Sequence, residues 1–145
     1  MTSARHLLYL DTSAMMRLYT DEPKRDEVLT EQAAAGGVIA HSITYVEMRA
    51  ALASRRARKL MSGAAYTQAL RAFEGDWAAV ANIAVNEDLL KQAGDLAERH
   101  QLRAYDAVHL AAAVKIAPLG IRFMTFDQKL QDVADAMLPG KVWRG

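Results

Sequence analysis

The chain of 145 residues contains no cysteine and no apolar stretch long enough to cross a membrane. The lack of cysteine excludes disulfides, thiolate zinc sites and a cysteine nucleophile. A membrane-spanning helix needs roughly 20 apolar residues, and none is expected here. The amino-terminal apolar run is interrupted by Asp11, which is untypical of a signal peptide. We therefore expect a protein of the cytoplasm that spans no membrane.

Several motifs of common enzymes are also missing. The sequence has no P-loop, no GxGxxG and no GxSxG pattern, so nucleotide cofactors and a serine nucleophile elbow have no support. The histidines have no metal-ligand spacing, which argues against a zinc hydrolase. About half of the residues, 52%, are hydrophobic, which is enough for a sizeable core. The length and composition predict one domain over residues 1–145.

Acidic residues are absent between residues 48 and 73, although the net charge of the whole chain is only +1. This segment contains six basic residues, namely Arg49, Arg55, Arg56, Arg58, Lys59 and Arg71. A local basic stripe on a nearly neutral protein favours a partner that carries phosphate groups. Its central candidates are Arg55, Arg56, Arg58 and Lys59. A solvated helix face is the alternative interpretation.

Short apolar runs alternate with amphipathic segments along the whole chain. The runs predict strands over residues 6–11, 38–42, 82–85, 121–127 and 141–144. Helices are predicted between them, with Pro23 in the first turn of the second helix and Ser42 or Thr44 capping the third. This alternation is typical of an α/β fold with three layers, in which helices cover both faces of a central parallel β-sheet.

Four carboxylates adjoin the predicted strands and helices. Asp11 ends the first strand, Asp127 ends the strand over 121–127, and Glu47 and Asp106 lie near the starts of helices that follow loops. Ligands of parallel sheets bind outside the carboxyl ends of the strands. We therefore expect the four acids to meet in one place.

Each of these acids also has a purely structural interpretation. Asp11 and Asp127 could cap the helices that follow them, and Asp106 could be favoured by the dipole of its helix. Glu47 could pair with a nearby arginine, although the spacings to the arginines of its own helix are poor. The residues alone leave these alternatives open.

A cluster of carboxylates supports chemistry assisted by a metal ion. Hard oxygen ligands bind Mg²⁺ or Mn²⁺. Such an ion polarises a phosphoryl oxygen and lowers the pKa of a water molecule, which suits phosphodiester hydrolysis without a covalent intermediate. His109, one helical turn after Asp106, could serve as a ligand or base, but we favour a packed and hydrogen-bonded histidine.

Four segments appear in an order that resembles a known family. "YLDTSAMMRLYTDEP", "VEMRAAL", "RAYDAVHLAAAV" and "FMTFDQKL" are similar to segments of PIN-domain ribonucleases of the VapC type, the toxins of toxin–antitoxin pairs. The resemblance implies a PIN fold and an acidic pocket that binds Mg²⁺ or Mn²⁺ and cuts RNA. Its four acids match Asp11, Glu47, Asp106 and Asp127.

The resemblance has further implications. The hydroxyl that follows the first acid in the family matches Thr12 or Ser13, of which we favour Ser13. Members are usually homodimers, held inactive by a cognate antitoxin whose tail covers the pocket. The fourth segment often carries a second acid or an asparagine, whereas Asp127 has Thr125 and Gln128 nearby. The number of metal ions therefore stays open, and the basic stripe becomes a candidate RNA-binding surface.

Two other functions are compatible with the same residues. The first is a non-catalytic module that binds RNA or protein and uses the acids as helix caps and salt bridges. The second is a metal phosphatase that acts on small substrates. Affinity for Mn²⁺ separates the first from a nuclease, and turnover of small phosphate esters without RNA cleavage would favour the second.

Overall fold

The structure, a computed structural model, describes residues 5–145 and has a four-stranded sheet at its centre. The strands are β1 (Leu7–Leu10), β2 (Gly37–His41), β3 (Ala81–Ile83) and β4 (Ile121–Met124). Their order in the sheet is β3-β2-β1-β4, and every pairing is parallel. The predicted parallel sheet is confirmed, and the carboxyl ends of all four strands lie along the same edge.

Seven α-helices and one short 3₁₀ turn lie between or after the strands within the described residues. The helices are α1 (Thr12–Met16), α2 (Arg25–Ala34), α3 (Ile43–Ala57), α4 (Gly63–Trp77), α5 (Glu87–His100), α6 (Ala104–Ile116) and α7 (Gln128–Met137). The 3₁₀ turn (Ala117–Leu119) joins α6 to β4. None of the helices in this part of the chain has the length and apolarity that a membrane span requires.

The sheet separates two hydrophobic cores. Side chains alternate along a strand, so Leu8 and Leu10 of β1 face one core, and Tyr9 faces the other. All three are fully buried. Helices α1 to α4 contribute to the first core, and α5 to α7 contribute to the second. The predicted three layers, helix, sheet and helix, are therefore confirmed.

The close packing around helix α6 explains why its sequence is rich in alanine. It is buried on most sides, with the sheet below it and α5 packed against it. Ala111, Ala112 and Ala113 are all at most 1% exposed. Small side chains let neighbouring elements approach the helix closely, and a helix that is apolar all round belongs in a core.

Two expectations about helix starts are corrected. Pro23 lies outside α2, because Lys24 adopts a left-handed conformation with φ of 67° just before the helix begins. Ser42 does occupy the N-cap position of α3, but its side chain accepts no capping hydrogen bond, and Thr44 lies inside the helix. A side-chain acceptor comes from His41 instead, since its Nδ1 accepts a hydrogen bond from the Ile43 backbone N–H at 3.1 Å.

Two predicted strands differ most from the structure. The strand predicted over 121–127 ends at Met124, because Thr125 to Asp127 leave the sheet and Asp127 caps α7, which begins at Gln128. The strand predicted over 141–144 is reduced to a single bridge between Phe123 and Val142. The first correction places Asp127 in a loop beside the end of β1 rather than at the end of an extended strand.

Candidate active site

Asp11 is the buried carboxylate of the site, with only 3% of the residue exposed. It directly follows β1 and caps α1, since its Oδ1 accepts hydrogen bonds from the backbone N–H of Ala14 at 2.9 Å and from Ser13 Oγ at 2.6 Å. Its Oδ2 accepts one from Thr125 Oγ1 at 2.5 Å. Burial raises the pKa of Asp11 above its usual value, and His109 and these donors oppose that rise only in part. A positive charge beside Asp11 would therefore stabilise its ionised form.

Glu47 projects from α3 and is held by two side chains. Its Oε1 accepts a hydrogen bond from Thr12 Oγ1 at 2.8 Å and lies 2.8 Å from His109 Nε2. Burial acts to raise the pKa of Glu47, but the hydrogen bond and charge of His109, with Thr12, outweigh it and lower the pKa overall. Glu47 is therefore an ionised acceptor, so His109 donates its Nε2–H.

His109 is itself held by a buried tyrosine. Its Nδ1 lies 2.7 Å from the hydroxyl of Tyr9, a residue that is fully buried. Burial and the charge of Asp11 raise the pKa of Tyr9, which keeps its hydroxyl protonated. Nδ1 and the Tyr9 hydroxyl can each act as donor or acceptor, and Nε2–H donates to Glu47, so both nitrogens of His109 have a partner. Both nitrogens of His109 are engaged, which agrees with the expected packed histidine.

Asp106 and Asp127 form a more open pair that is joined by an arginine. Arg103 Nε donates to Asp106 Oδ2 at 2.9 Å, and a terminal nitrogen of the same guanidinium donates to Asp127 Oδ2 at 3.1 Å. The side chains of Asp106 and Asp127 are 14% and 31% exposed, whereas that of Arg103 is 77% exposed. The bond to Asp106 is the main reason that the pKa of Arg103 is raised.

Two hydroxyls link the loop of Asp127 to Asp11. Thr125 Oγ1 donates to Asp11 and accepts from the backbone N–H of Asp127 at 3.1 Å. Ser13 Oγ donates to Asp11 and accepts from the backbone N–H of Phe126 at 2.9 Å. Through these bonds the acids that follow β1 and β4 are held side by side.

The structural alternatives for the four acids have different outcomes. Asp11 and Asp127 do cap helices, since Asp127 Oδ1 accepts from the backbone N–H of Leu130 at 2.8 Å. Asp106 lies in the first turn of α6, where the helix dipole favours an acid. The alternative pairing of Glu47 with an arginine of its own helix does not occur within residues 5–145, where Glu47 pairs with His109.

The fit of this site to a divalent cation can be judged from its oxygens. Among the described residues, no three acidic or histidine side chains are grouped closely enough to hold a metal ion as they stand. Glu47 Oε2 and Asp106 Oδ1, however, accept no hydrogen bond from the described part of the chain. Oxygen ligands of this kind suit Mg²⁺, which keeps several waters and needs only one or two carboxylates. The donor set fits such an ion once the Asp106–Asp127 pair is free.

The basic stripe lies farther along α3. Arg55 is paired with Glu22, and Arg56 lies over the ring of Tyr66 at 5.0 Å, while Arg58 and Lys59 are exposed. A helix rises about 1.5 Å per residue, so Arg55 and Arg56 lie about 12–14 Å along the axis from Glu47. The stripe is therefore separate from the acids, and its first member is partly neutralised.

Sequence reasoning missed Arg103 and Tyr9, and it noted Thr125 only as a departure from the resembled family. Arg103 has a local signal, because it precedes Asp106 by three residues and the i, i+3 spacing brings their side chains together. Tyr9 and Thr125 have none, since their partners His109 and Asp11 are 100 and 114 residues away in the chain.

Comparisons with known proteins agree with this architecture. The sequence model of the PIN domain matches residues 8–136. Ribonuclease VapC45 of Mycobacterium tuberculosis (strain CDC 1551 / Oshkosh) is 31% identical over 130 residues, which cover 90% of each chain. The fold is similar to that of VapC20 of Mycobacterium tuberculosis, with a TM-score of 0.67, 20% identity and coverage of 87% and 94% of the two chains. A toxin–antitoxin complex from Klebsiella pneumoniae gives a TM-score of 0.64 at 20% identity, covering 98% and 97%. The chain therefore belongs to the PIN-domain family, in the group of the VapC proteins.

Proposed function

We propose that this protein is a metal-dependent endoribonuclease, the toxin of a type II toxin–antitoxin pair. The observation that carries the proposal is the carboxylate of Asp11: burial disfavours its ionised form, and its donor Thr125 also accepts from the backbone N–H of Asp127. A divalent cation would stabilise this arrangement. The curated relative that is 31% identical is named a ribonuclease, which supports RNA as the substrate class.

In this proposal Asp11, Glu47, Asp106 and Asp127 hold Mg²⁺ or Mn²⁺, directly or through water. The bound ion supplies Lewis-acid chemistry, polarising the phosphoryl oxygen and making a nucleophile of water near neutral pH. The chain's own contribution is to fix the carboxylates before substrate arrives.

Four side chains of the protein fix these ligands. Ser13 and Thr125 orient Asp11, while Thr12 and His109 orient Glu47. Both candidate hydroxyls after the first acid thus have a role, because Ser13 serves Asp11 and Thr12 serves Glu47. Fixed donors of this kind raise the ligand affinity of a site because no reorganisation is needed on binding.

The proposed partners are RNA, a cognate antitoxin protein and a second copy of the chain in a homodimer, acting as a single domain in the cytoplasm. A structural relative is a toxin–antitoxin complex, and VapC20 is described as a toxin that cleaves the sarcin–ricin loop. RNA phosphates would contact the exposed part of the basic stripe, Arg56, Arg58 and Lys59, with Arg55 partly held by Glu22.

The competing function is a non-catalytic module of the same fold that binds RNA or protein. It is favoured by a specific observation, because Asp11 and Asp127 cap helices and Arg103 already neutralises Asp106 and Asp127. Acids with these roles need no cation. The two functions therefore differ in whether the folded protein binds Mn²⁺.

The test measures Mn²⁺ binding by calorimetry and cleavage of total bacterial RNA for the wild type, Asp106→Asn and Asp11→Asn. We expect each variant to weaken Mn²⁺ binding at least about tenfold and cleavage at least about 100-fold, because a ligand oxygen and a negative charge are lost. Asn at position 11 still offers an oxygen to the Ala14 N–H, so thermal melts in chelator should show a folded protein.

Asp135→Asn is the matched control, because Asp135 is an exposed carboxylate of α7 that pairs with Arg144 outside the site. It should bind Mn²⁺ and cut RNA as the wild type does. A wild type that binds no Mn²⁺ and leaves the RNA intact would rule out the metal-dependent nuclease and favour the binding module.

A further inference from the structure

Arg103 lies over the mouth of the acidic site. It immediately precedes α6, with an extended backbone at φ −65° and ψ 153°. Its guanidinium uses two of its five N–H groups, one on Asp106 Oδ2 and one on Asp127 Oδ2. Its side chain is 77% exposed, far more than either carboxylate. The guanidinium therefore covers the two carboxylates from the solvent side and places a positive charge there.

These ion pairs are not what holds the two acids in place. Asp127 is fixed independently by its Oδ1, which caps α7, and by the bond of its backbone N–H to Thr125. Asp106 is carried by the buried helix α6. An ion pair that is largely exposed contributes little to folding. Arg103 can therefore leave both carboxylates at a small cost to the fold.

The guanidinium competes with a cation for the same oxygens. Asp127 has both oxygens engaged while Arg103 is in place, one by the α7 cap and one by Arg103. In this arrangement no three acids of the described residues are grouped to hold an ion. Release of Arg103 frees one oxygen on Asp127 and one on Asp106.

We propose that Arg103 is a catalytic residue that exchanges partners: its guanidinium rests on Asp106 and Asp127, leaves them when they bind a divalent cation, and then binds a phosphate oxygen of the RNA. The inference rests on the proposed function. Guanidinium suits this role because its planar N–H groups match phosphate geometry and stay charged at every physiological pH. A positive charge at the reacting phosphate stabilises the charge that develops there in the transition state.

Neighbouring cations are committed elsewhere. The guanidinium of Arg17 lies 3.9 Å from the centre of the Phe126 ring and donates to the backbone oxygens of Ser13 and Pro23 at 2.7 and 3.0 Å. Lys129 Nζ donates to the backbone oxygen of Gln101 at 2.6 Å. Arg103 differs from both because it is held only by carboxylates that a cation can take over.

The experiment compares Arg103→Gln and Arg103→Lys with Arg144→Gln. Arg144 is the matched control, since it is 51% exposed and pairs with two carboxylates of α7, Asp132 and Asp135, outside the site. In Mn²⁺ calorimetry, Arg103→Gln should bind the ion at least about threefold more tightly than the wild type, because the competitor is gone. Arg144→Gln should bind it like the wild type. Unchanged or weaker binding by Arg103→Gln overturns the proposal.

The second measurement is cleavage of total bacterial RNA at saturating Mn²⁺. Arg103→Gln should cut about 100-fold more slowly, the typical cost of losing one donor to a developing negative charge. Arg103→Lys should recover part of that loss, because it restores the charge without the planar fork. Tighter Mn²⁺ binding with slower cleavage is a combination that loss of a merely structural ion pair would not produce. Cleavage by Arg103→Gln at the wild-type rate overturns the phosphate role.

Failure of the proposed function would look different. If the wild type binds no Mn²⁺ and cuts no RNA, the proposed nuclease function is rejected, and the proposal for Arg103 is rejected with it. A wild type that does both, with Arg103→Gln unchanged in both measurements, leaves the nuclease in place and rejects only the role of Arg103.

Discussion

The inner and outer halves of the site hold their acids by different means. The inner half is Asp11 and Glu47, which receive hydrogen bonds at 2.5–2.9 Å from hydroxyls, a backbone N–H and a buried imidazole. The outer half is Asp106 and Asp127, which share one guanidinium whose side chain is 77% exposed. The inner half is a closed network within the protein, and the outer half is an ion pair at its surface.

The difference shows which half is preorganised and which exchanges partners. A buried donor or acceptor that loses its partner costs about 1–3 kcal/mol, so the inner network resists rearrangement. An exposed ion pair contributes only about 0–1 kcal/mol, so the outer half can change partners readily. We therefore expect inner substitutions to alter stability and metal affinity together, and outer substitutions to alter ligand binding with little change in stability.

The largest effect on stability should come from His109→Ala. The change removes the His109 partner of the Tyr9 hydroxyl, leaves Glu47 Oε1 with Thr12 alone, and opens a cavity between α6 and the sheet. We expect a loss of about 3–4 kcal/mol in the free energy of unfolding, measured by urea denaturation in chelator. Mn²⁺ affinity should fall with it, because Glu47 is no longer oriented.

Two further variants provide a comparison for His109→Ala. Tyr9→Phe removes only the hydroxyl at the buried end of the Tyr9–His109–Glu47 chain of hydrogen bonds. It should lower the free energy of unfolding by about 1–2 kcal/mol. Asp106→Asn changes the outer half alone and should cost less than about 1 kcal/mol. If His109→Ala were no more destabilising than Asp106→Asn, the distinction between the two halves would be wrong.

A smaller effect should follow from Thr125→Val, which removes the hydroxyl but keeps the shape of the side chain. Asp11 Oδ2 then loses its donor and the Asp127 N–H loses its acceptor. We expect a loss of about 1–3 kcal/mol in chelator and a smaller loss in saturating Mn²⁺, because a cation compensates for the missing donor at Asp11. Thr125→Ser retains the hydroxyl and should recover most of the loss. Equal destabilisation by Val and Ser would assign the effect to packing of the methyl group.

The fold was predictable because its signals are local. Apolar runs that end in an acid place Asp11 after β1, and the alternation of runs with amphipathic segments is enough to predict a parallel sheet with helices on both faces. The same local chemistry correctly suggested that Asp11 and Asp127 cap helices. It failed in part at the start of α3, where Ser42 takes the N-cap position but the side-chain acceptor is His41 Nδ1.

The supporting shell of the site was not predictable because it depends on contacts between distant parts of the chain. Tyr9 reaches His109 only because β1 lies at the centre of the sheet under α6. Thr125 reaches Asp11 only because β4 pairs with β1 and ends at the same level, with Met124 beside Leu10. Neither contact can be read from spacing or composition. The four candidate acids were chosen from their positions beside predicted elements and from the family resemblance, and their role in catalysis stays a prediction.

The smallest expected effect on stability concerns His41. This residue is fully buried at the end of β2, beside the inner half of the site. Its Nδ1 accepts from the Ile43 N–H, and its Nε2 has no partner within the described residues. Burial, aided by His109 and opposed by Glu47, lowers the pKa of His41 below its usual value. The resulting stabilisation is present above the unfolded pKa of about 6.5 and is lost as the pH falls through the folded pKa.

The prediction for His41 is that the unfolding free energy depends more steeply on pH in the wild type than in His41→Asn. His41→Asn keeps an acceptor for the Ile43 N–H but does not titrate. In chelator, the unfolding free energy of the wild type should therefore fall more steeply below about pH 6.5 than that of the variant, by at most about 1.4 kcal/mol per pH unit for one proton. The raised pKa of Asp11 is common to both proteins and cancels in the comparison, whereas the lowered pKa of Glu47 depends mainly on His109 and least on His41, so it changes little. Parallel slopes from urea denaturation at pH 5 to 8 would show that His41 does not couple folding to protonation, and the acid sensitivity of the inner half would then have to lie in its carboxylates.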